Sequence, residues 1–597
     1  MKDKKADINK YRLWIFLASV GITALFLLFF ALRYGFAFEQ NDDRFISQIL
    51  SGTLTGENSF HTVYNNFWVS LPLSLLYRLN ASFPWWGLFV ILVAGSAMVG
   101  ILYYTAKTAV MGLGGLIGDD SKKVNVSPVF SLVTSFSVLG AILLFFSQYR
   151  VFGSVQYTSV AILIAAAGYF CLVLGGGKRS SYILFFAFEL IAFCLRDKSM
   201  ELVQPLGFLL FIGAGLAGVN YNKEEIIRKT FVKKVLFTAL LLLVVFIIGL
   251  FGKALAGEYK KDWREFESFN KMRTQLYDYS GVYSYADVKE ILERHNISKT
   301  RWEAFADYSI TDWPMNEELD KELIAYAKEH QSKPAFPKLV KEFMKQSVLR
   351  GEARPVLFLW AIAIVFVLVF ANYRMFLPIL GIFLARMASW GYLVYGGRIM
   401  DRVAIPLFLA EGIALLAVIV LTVTSEGSFE KKKIPRSIVS GACFLCFAAI
   451  ALHTGRNQLR TAHNEYKTQQ ILSESFEQVS EYCLAHPEEA FILDVNSFNS
   501  VHGTALEKNL TSSVNYKMSG GWFAATPEYR EKFEDYLKNN PNFSFIVFDF
   551  GPEWSRIEHG TADYYRKVTG SEPVLVDQIS VSSGGTYLVY RFEGTGE

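Results

Sequence analysis

Charge is scarce in this chain, and that scarcity does most of the excluding. Only 19% of its 597 residues are Asp, Glu, Lys or Arg, below the roughly 25% of soluble proteins. Roughly four soluble domains would fill this length at about 150 residues each, but so few charges could not keep them in solution. Cysteine is sparse too. Five in the whole chain cannot make a disulfide scaffold, and Cys443 and Cys446 lie in an apolar run where the CxxC spacing reads as packing. The eight histidines have no metal-ligand spacing. Gly112-Leu-Gly-Gly-Leu-Ile-Gly118 has no flanking strand and no Lys-Ser/Thr, so it is not a phosphate loop. A net charge of +4 gives no reason to expect nucleic acid.

What the sequence has instead is apolar surface: 52% hydrophobic and 15% aromatic residues. They are bunched into runs near the ~20 residues that cross a bilayer. Leu13–Leu32 is the first, behind Lys2, Lys4, Lys5, Lys10 and Arg12. It is too long for a signal core and lacks a cleavage site. Others follow at about 85–106, 129–149, 154–175, 181–195, 203–219, 235–256, 355–371, 375–395, 403–424 and 437–454. That predicts a polytopic α-helical membrane protein of about eleven transmembrane helices, since backbone groups in hydrocarbon must pair within their own segment. With the N-terminus inside, the short inner segments hold 20 Lys/Arg and the short outer ones 8, the sign of the positive-inside bias. The expected location is the cell membrane, multi-pass, with a cytoplasmic N-terminus and the tail outside.

Three larger polar stretches then fall outside: 35–84, 257–353 and 455–597. The last alternates strand patterns (491–495, 543–550, 573–576, 586–592) with helix patterns (527–538, 564–568), which predicts an extracytoplasmic C-terminal α/β domain. The expected division is therefore 1–454, a multi-span domain, and 455–597. Inner loops are too short for a nucleotide-sugar domain, so a reaction outside would need a donor already carried across by lipid.

The first outer loop carries the strongest chemical signal. Asn41-Asp42-Asp43-Arg44 is followed by Ser51-Gly52, by an aromatic and polar segment from His61 to Tyr77, and by Pro84-Trp85-Trp86. Residues 45–50 and 67–77 read as helices lying in the membrane interface. Adjacent carboxylates repel one another, so one should bind a proton more readily, which suits a general base for a sugar or alcohol hydroxyl. A solvated acidic turn is the plainer reading. Arg150, Arg196, Lys198, Arg398 and Arg402 cluster at outer helix ends, where they could clamp a lipid-linked phosphate or simply snorkel. Glu201 accompanies them. Glu189 lies inside a span, where a carboxylate is either functional or buried in a hydrogen bond.

These features together resemble the GT-C class of membrane glycosyltransferases, and a bacterial group within it. The resemblance rests on Asn41-Asp42-Asp43 through Ser51-Gly52, Leu76-Tyr77, Pro84-Trp85-Trp86, Tyr157-Thr158, Leu195-Arg196, Gly397-Arg398 and Arg402-Val403. It implies transfer of a sugar from a polyprenyl-phosphate donor to a glycan, teichoic-acid-like or lipid-linked acceptor on the outer face, usually with inversion. It implies Asp42 or Asp43 as the base; Arg398, Arg402, Arg196, Lys198 and Arg150 stay, from their positions, the candidates for holding the donor phosphate. Arg44, His61, Glu189 and Glu201 are further candidates. No nucleotide is required; two carboxylates could hold a divalent metal, but the sequence lacks a convincing third ligand. A polysaccharide polymerase or ligase, a lipid-linked-sugar flippase and a non-catalytic scaffold are the competing readings. No internal repeat favours the transporter.

Overall fold

The computed structural model describes residues 2–115, 128–218, 224–309, 313–331, 334–424, 436–508, 515–552, 555–558 and 560–593. The glycine-rich 112–118 stretch and Lys431-Lys432-Lys433 lie wholly or partly outside them. The chain is built as a helical membrane protein. Among the described residues, eight helices are long and apolar enough to cross a bilayer: Tyr11–Tyr34, Trp85–Ala109, Tyr157–Leu174, Arg179–Gly218, Lys229–Ala256, Tyr373–Gly396, Asp401–Thr424 and Ile438–Ala485. Two shorter apolar helices, Ser137–Ser147 and Ala353–Val369, hold two more of the sequence's apolar runs.

Two further apolar runs, about 181–195 and 203–219, fall within Arg179–Gly218. Its 40 residues contain one non-helical position, Arg196, at φ −163° and ψ 101°. Gln204 nonetheless donates a 2.8 Å hydrogen bond to Glu189. Fifteen residues along a continuous helix would separate these two by about 22 Å. The chain must therefore reverse at Arg196, and the two apolar runs are the arms of a helical hairpin. Gly207 is required where the second arm meets Tyr157–Leu174: a Cβ there would lie 2.0 Å from the Tyr169 ring.

Packing divides the chain into two compact units. The first holds Met1–Phe36, Leu88–Leu250 and Ala335–Tyr466. Every residue of Tyr157–Leu174 is buried within it, whereas Tyr11–Tyr34 and Lys229–Ala256 turn large apolar side chains outward, Leu32 at 80% exposure and Leu236 at 64%. A stripe this apolar is stable against lipid and not against water. Inside this unit Arg386 donates at 2.5 Å to Glu411, which also accepts from the Trp360 indole at 2.5 Å. Both charges are buried, and each needs the other, because an unpaired ion there carries the full desolvation cost.

The second unit gathers Ala37–Gly87, Phe251–Pro334 and Lys467–Glu597. Among the described residues the tail contributes five strands: β1 (Phe491–Asp494), β2 (Tyr516–Ser519), β3 (Phe543–Phe548), β4 (Val574–Ser580) and β5 (Thr586–Phe592), in the order β2-β1-β3-β5-β4. β1 is parallel to both β2 and β3, while β5 is antiparallel to β3 and β4. Strand β2 is absent from the sequence reading, since four residues containing Lys517 do not stand out as an apolar run. Helices Lys261–Thr274 and Lys299–Ala306 in the second polar stretch were likewise not foreseen. The division drawn by packing also differs from a cut at 454/455. One core joins Phe45 of the first loop, Phe269, Trp302 and Phe305 of the second stretch, and Phe491, Trp522 and Phe545 of the tail. The tail's strands alone leave apolar faces that the two loops cover.

Candidate active site around Asp42

Asp42 and Asp43 occupy the first turn of the helix Asn41–Ser51, where unpaired N–H groups favour carboxylates. Consecutive helical residues point about 100° apart, and the pair diverges. Asp43 is fully buried and accepts from the Trp86 indole at 3.1 Å. The Trp86 amide in turn donates to the Tyr77 hydroxyl at 3.0 Å, which meets Ser47 at 2.9 Å. Asp43 thus locks the helix to the end of its own loop. Asp42 is half-buried and accepts from the Trp522 indole at 3.0 Å. Each of the two carboxylates therefore faces a different indole.

Trp522 stands three residues past the end of β2, beyond Gly520-Gly521. Its ring packs on Tyr64 at 4.9 Å and on Phe45 at 6.3 Å. Arg273, 5% exposed, adds a cation, donating to the Tyr308 hydroxyl at 3.2 Å and to Asn270 at 2.8 Å. Burial works against that charge, but Tyr308, Tyr64, Asp278 and Asp42 outweigh it and raise its pKa. His502 feels both Asp42 and Arg44; burial first, and Arg44 second, push its pKa down to about 4, so it is neutral at pH 7.

Two backbone outliers flank this group. Val63 and Tyr308 have φ of 67° and 65°, conformations that cost non-glycine residues energy and gather at functional sites. Tyr308 is held there by close approach: its carbonyl accepts from the Gly521 amide at 3.3 Å, and a Cβ on Gly520 would lie 2.4 Å from that oxygen.

The crevice at the carboxyl ends of parallel strands is where open α/β sheets usually bind ligands. Here it is filled. Arg556 donates to both oxygens of Asp494, at the end of β1, at 3.0 Å, and to Asp307 at 2.5 and 2.9 Å. Asp494 is 1% exposed. The triad stitches the second polar stretch to the sheet.

The other candidates are distributed as follows. Arg44 is buried, donates to the Val501 carbonyl at 3.2 Å and stacks over Phe476 at 4.2 Å. His61 bonds the Glu528 carboxylate through Nδ1 and the Ala256 carbonyl through Nε2 at 2.7 Å. Both partners are acceptors, so both ring nitrogens donate and the ring is an imidazolium. These residues share the second unit with Asp42. Arg150, Arg196, Lys198, Arg398, Arg402, Glu189 and Glu201 belong to the first. Arg150 is engaged by carboxylates, with Asp401 at 2.7 Å and Glu465 at 3.0 Å, and Arg350 shares Asp401 at 2.7 Å. Lys198 pairs with Glu201 on the surface at 2.9 Å, Arg196 is the hairpin tip, and the Arg402 carbonyl accepts from Ser159 at 2.8 Å. Arg398 follows Gly397, which caps Phe376–Gly396 at φ 72°. Glu189 is fully buried on Gln204.

Sequence reasoning missed Arg273, Tyr308, Trp522 and His502, because no spacing links residues so far apart; the Gly520-Gly521 pair was the one local signal. It also missed Arg386 and Glu411, which lone opposite charges in neighbouring apolar runs could have revealed. Among the described residues no three His, Cys, Asp or Glu side chains are grouped to hold a metal ion. No family model, curated protein or solved structure matches the chain.

Proposed function

We propose that this chain is a membrane glycosyltransferase of the GT-C kind, with its second unit on the outer face, using a polyprenyl-phosphate sugar and a cell-envelope acceptor. The observation that carries this reading is the half-buried Asp42 carboxylate, held by the Trp522 indole. A neutral hydroxyl is a poor nucleophile, and a positioned carboxylate can take its proton as attack proceeds. In this reaction the acceptor oxygen bonds to the sugar's anomeric carbon, the bond from that carbon to the lipid phosphate breaks on the opposite face, and the acceptor proton passes to Asp42. The departing phosphate takes the electron pair. A cation that assists must stand on the side of the departing phosphate, where charge develops. Arg398 and Arg402 stay as proposed contacts for the donor lipid. Asp42 is preferred to Asp43 as base because Asp43 is fully buried on Trp86.

The test is transfer of labelled sugar from a polyprenyl-phosphate donor by purified protein in liposomes. Asp42→Asn should lower turnover by ~10²–10⁴-fold, the usual worth of general-base assistance, with donor binding kept. Near-wild-type transfer by Asp42→Asn would remove the base from this mechanism.

A further inference from the structure

The first unit contains a cavity of about 390 Å³ whose lining comes mainly from Tyr157–Leu174 and the turn after it, from the second arm of the 179–218 hairpin, and from Glu224–Ala256. Its walls are apolar, with Val173, Phe211, Phe231 and Leu421 among them, and Ala214 and Gly215 leave the space between. At one end stands Lys234, whose ammonium donates to the Gly176 carbonyl at 2.9 Å. Gly176 and Gly177 both have positive φ, at 65° and 66°. A Cβ on Gly177 would lie only 3.1 Å from the Lys234 nitrogen, so the glycine turn is what lets the ammonium settle on the backbone.

Further cations stand around this end. Lys178, Arg179, Lys229 and Lys233 are exposed on the same helix ends, and among the described residues no carboxylate lines the cavity. An ammonium has three donors, of which Gly176 takes one. Lys234 also sits about one turn inside the apolar span Lys229–Ala256, at the depth where headgroup gives way to chain. We infer that this cavity is a binding site for an anionic phospholipid, with its phosphate at Lys234 and an acyl chain between Val173, Phe211, Phe231 and Leu421. Basic pockets between helices attract such headgroups, and a zwitterionic lipid would bring its own cation against the five already there. This inference needs the chain to sit in a membrane and does not depend on the glycosyltransferase reading.

The experiment is native mass spectrometry of the full chain released from nanodiscs holding equal phosphatidylglycerol and phosphatidylcholine. The wild type should retain phosphatidylglycerol preferentially. Lys234→Gln should reduce that preference roughly five-fold, the worth of one cation near an anionic lipid. Ala214→Leu, which keeps every charge but fills the groove, should lower retention of the lipid itself. Thermal melts identify folded variants. Equal retention of both lipids by the wild type, or an unchanged preference in folded Lys234→Gln, overturns the proposal. Displacement by millimolar inorganic phosphate would make this a free-anion site, and selective displacement by a polyprenyl phosphate a donor-lipid site; either outcome overturns the assignment to phospholipid.

Discussion

The indole nitrogen of Trp522 donates a 3.0 Å hydrogen bond to Asp42 across 480 positions of sequence. That bond joins the first loop to the segment leaving β2 and decides where the Asp42 carboxylate points. Trp522→Phe keeps the ring packing on Tyr64 and Phe45 but removes the donor. In the liposome assay it should cost about ten-fold in turnover, the scale of one positioning hydrogen bond of ~1.5 kcal/mol to a charged group. Asp43→Asn should affect thermal stability more than turnover, since Asn can still accept from Trp86. A Trp522→Phe variant as fast as wild type would show that the bond has no positioning role.

Arg556 neutralises two carboxylates at once, and Asp494 is the more buried of them at 1% exposure. Arg556→Ala leaves that charge in the protein interior without a partner, a change typically worth ~3–5 kcal/mol. The thermal transition of the second unit should fall markedly in the full chain. Arg556→Lys should recover only part, because an ammonium cannot pair two carboxylates bidentately. An Arg556→Ala melt that overlays the wild type would refute this account of the triad.

The His61–Glu528 pair predicts a pH window for stability. Burial opposes the His61 charge, but the Glu528 carboxylate outweighs it and raises its pKa above the ordinary 6.5. Burial likewise opposes the Glu528 charge, and His61 with Ser59 and Lys532 lowers its pKa below 4.5. A raised histidine gives stability fully present below 6.5 and lost as pH climbs through its folded value; a lowered glutamate gives stability present above 4.5 and lost as pH falls through its folded value. The pair therefore stabilises most between about 4.5 and 6.5. His61→Gln should flatten the alkaline side of a melting-temperature profile. An identical profile in that variant would show that the bond does not couple to folding.

The apolar runs were legible because a bilayer makes a local demand: about 20 consecutive apolar residues with every backbone group paired inside the segment. Even the hairpin was legible as two runs, 181–195 and 203–219, separated by Arg196-Asp197-Lys198, although the helix there carries only one non-helical residue. The acidic turn at Asn41–Arg44 was equally local. What its two carboxylates do was not. Asp42 and Asp43 are neighbours in sequence with the same chemistry, and helical geometry merely sends them apart. Trp86, 43 positions away, buries one, and Trp522, 480 positions away, holds the other half-exposed. The cations show the same division. Arg150 reads as a free clamp until Asp401 and Glu465 arrive from distant helices, while Arg273 reads as a solvated charge until the fold buries it beside Tyr308. Which cations are engaged and with which partners depends on long-range packing, so tertiary structure alone decided it.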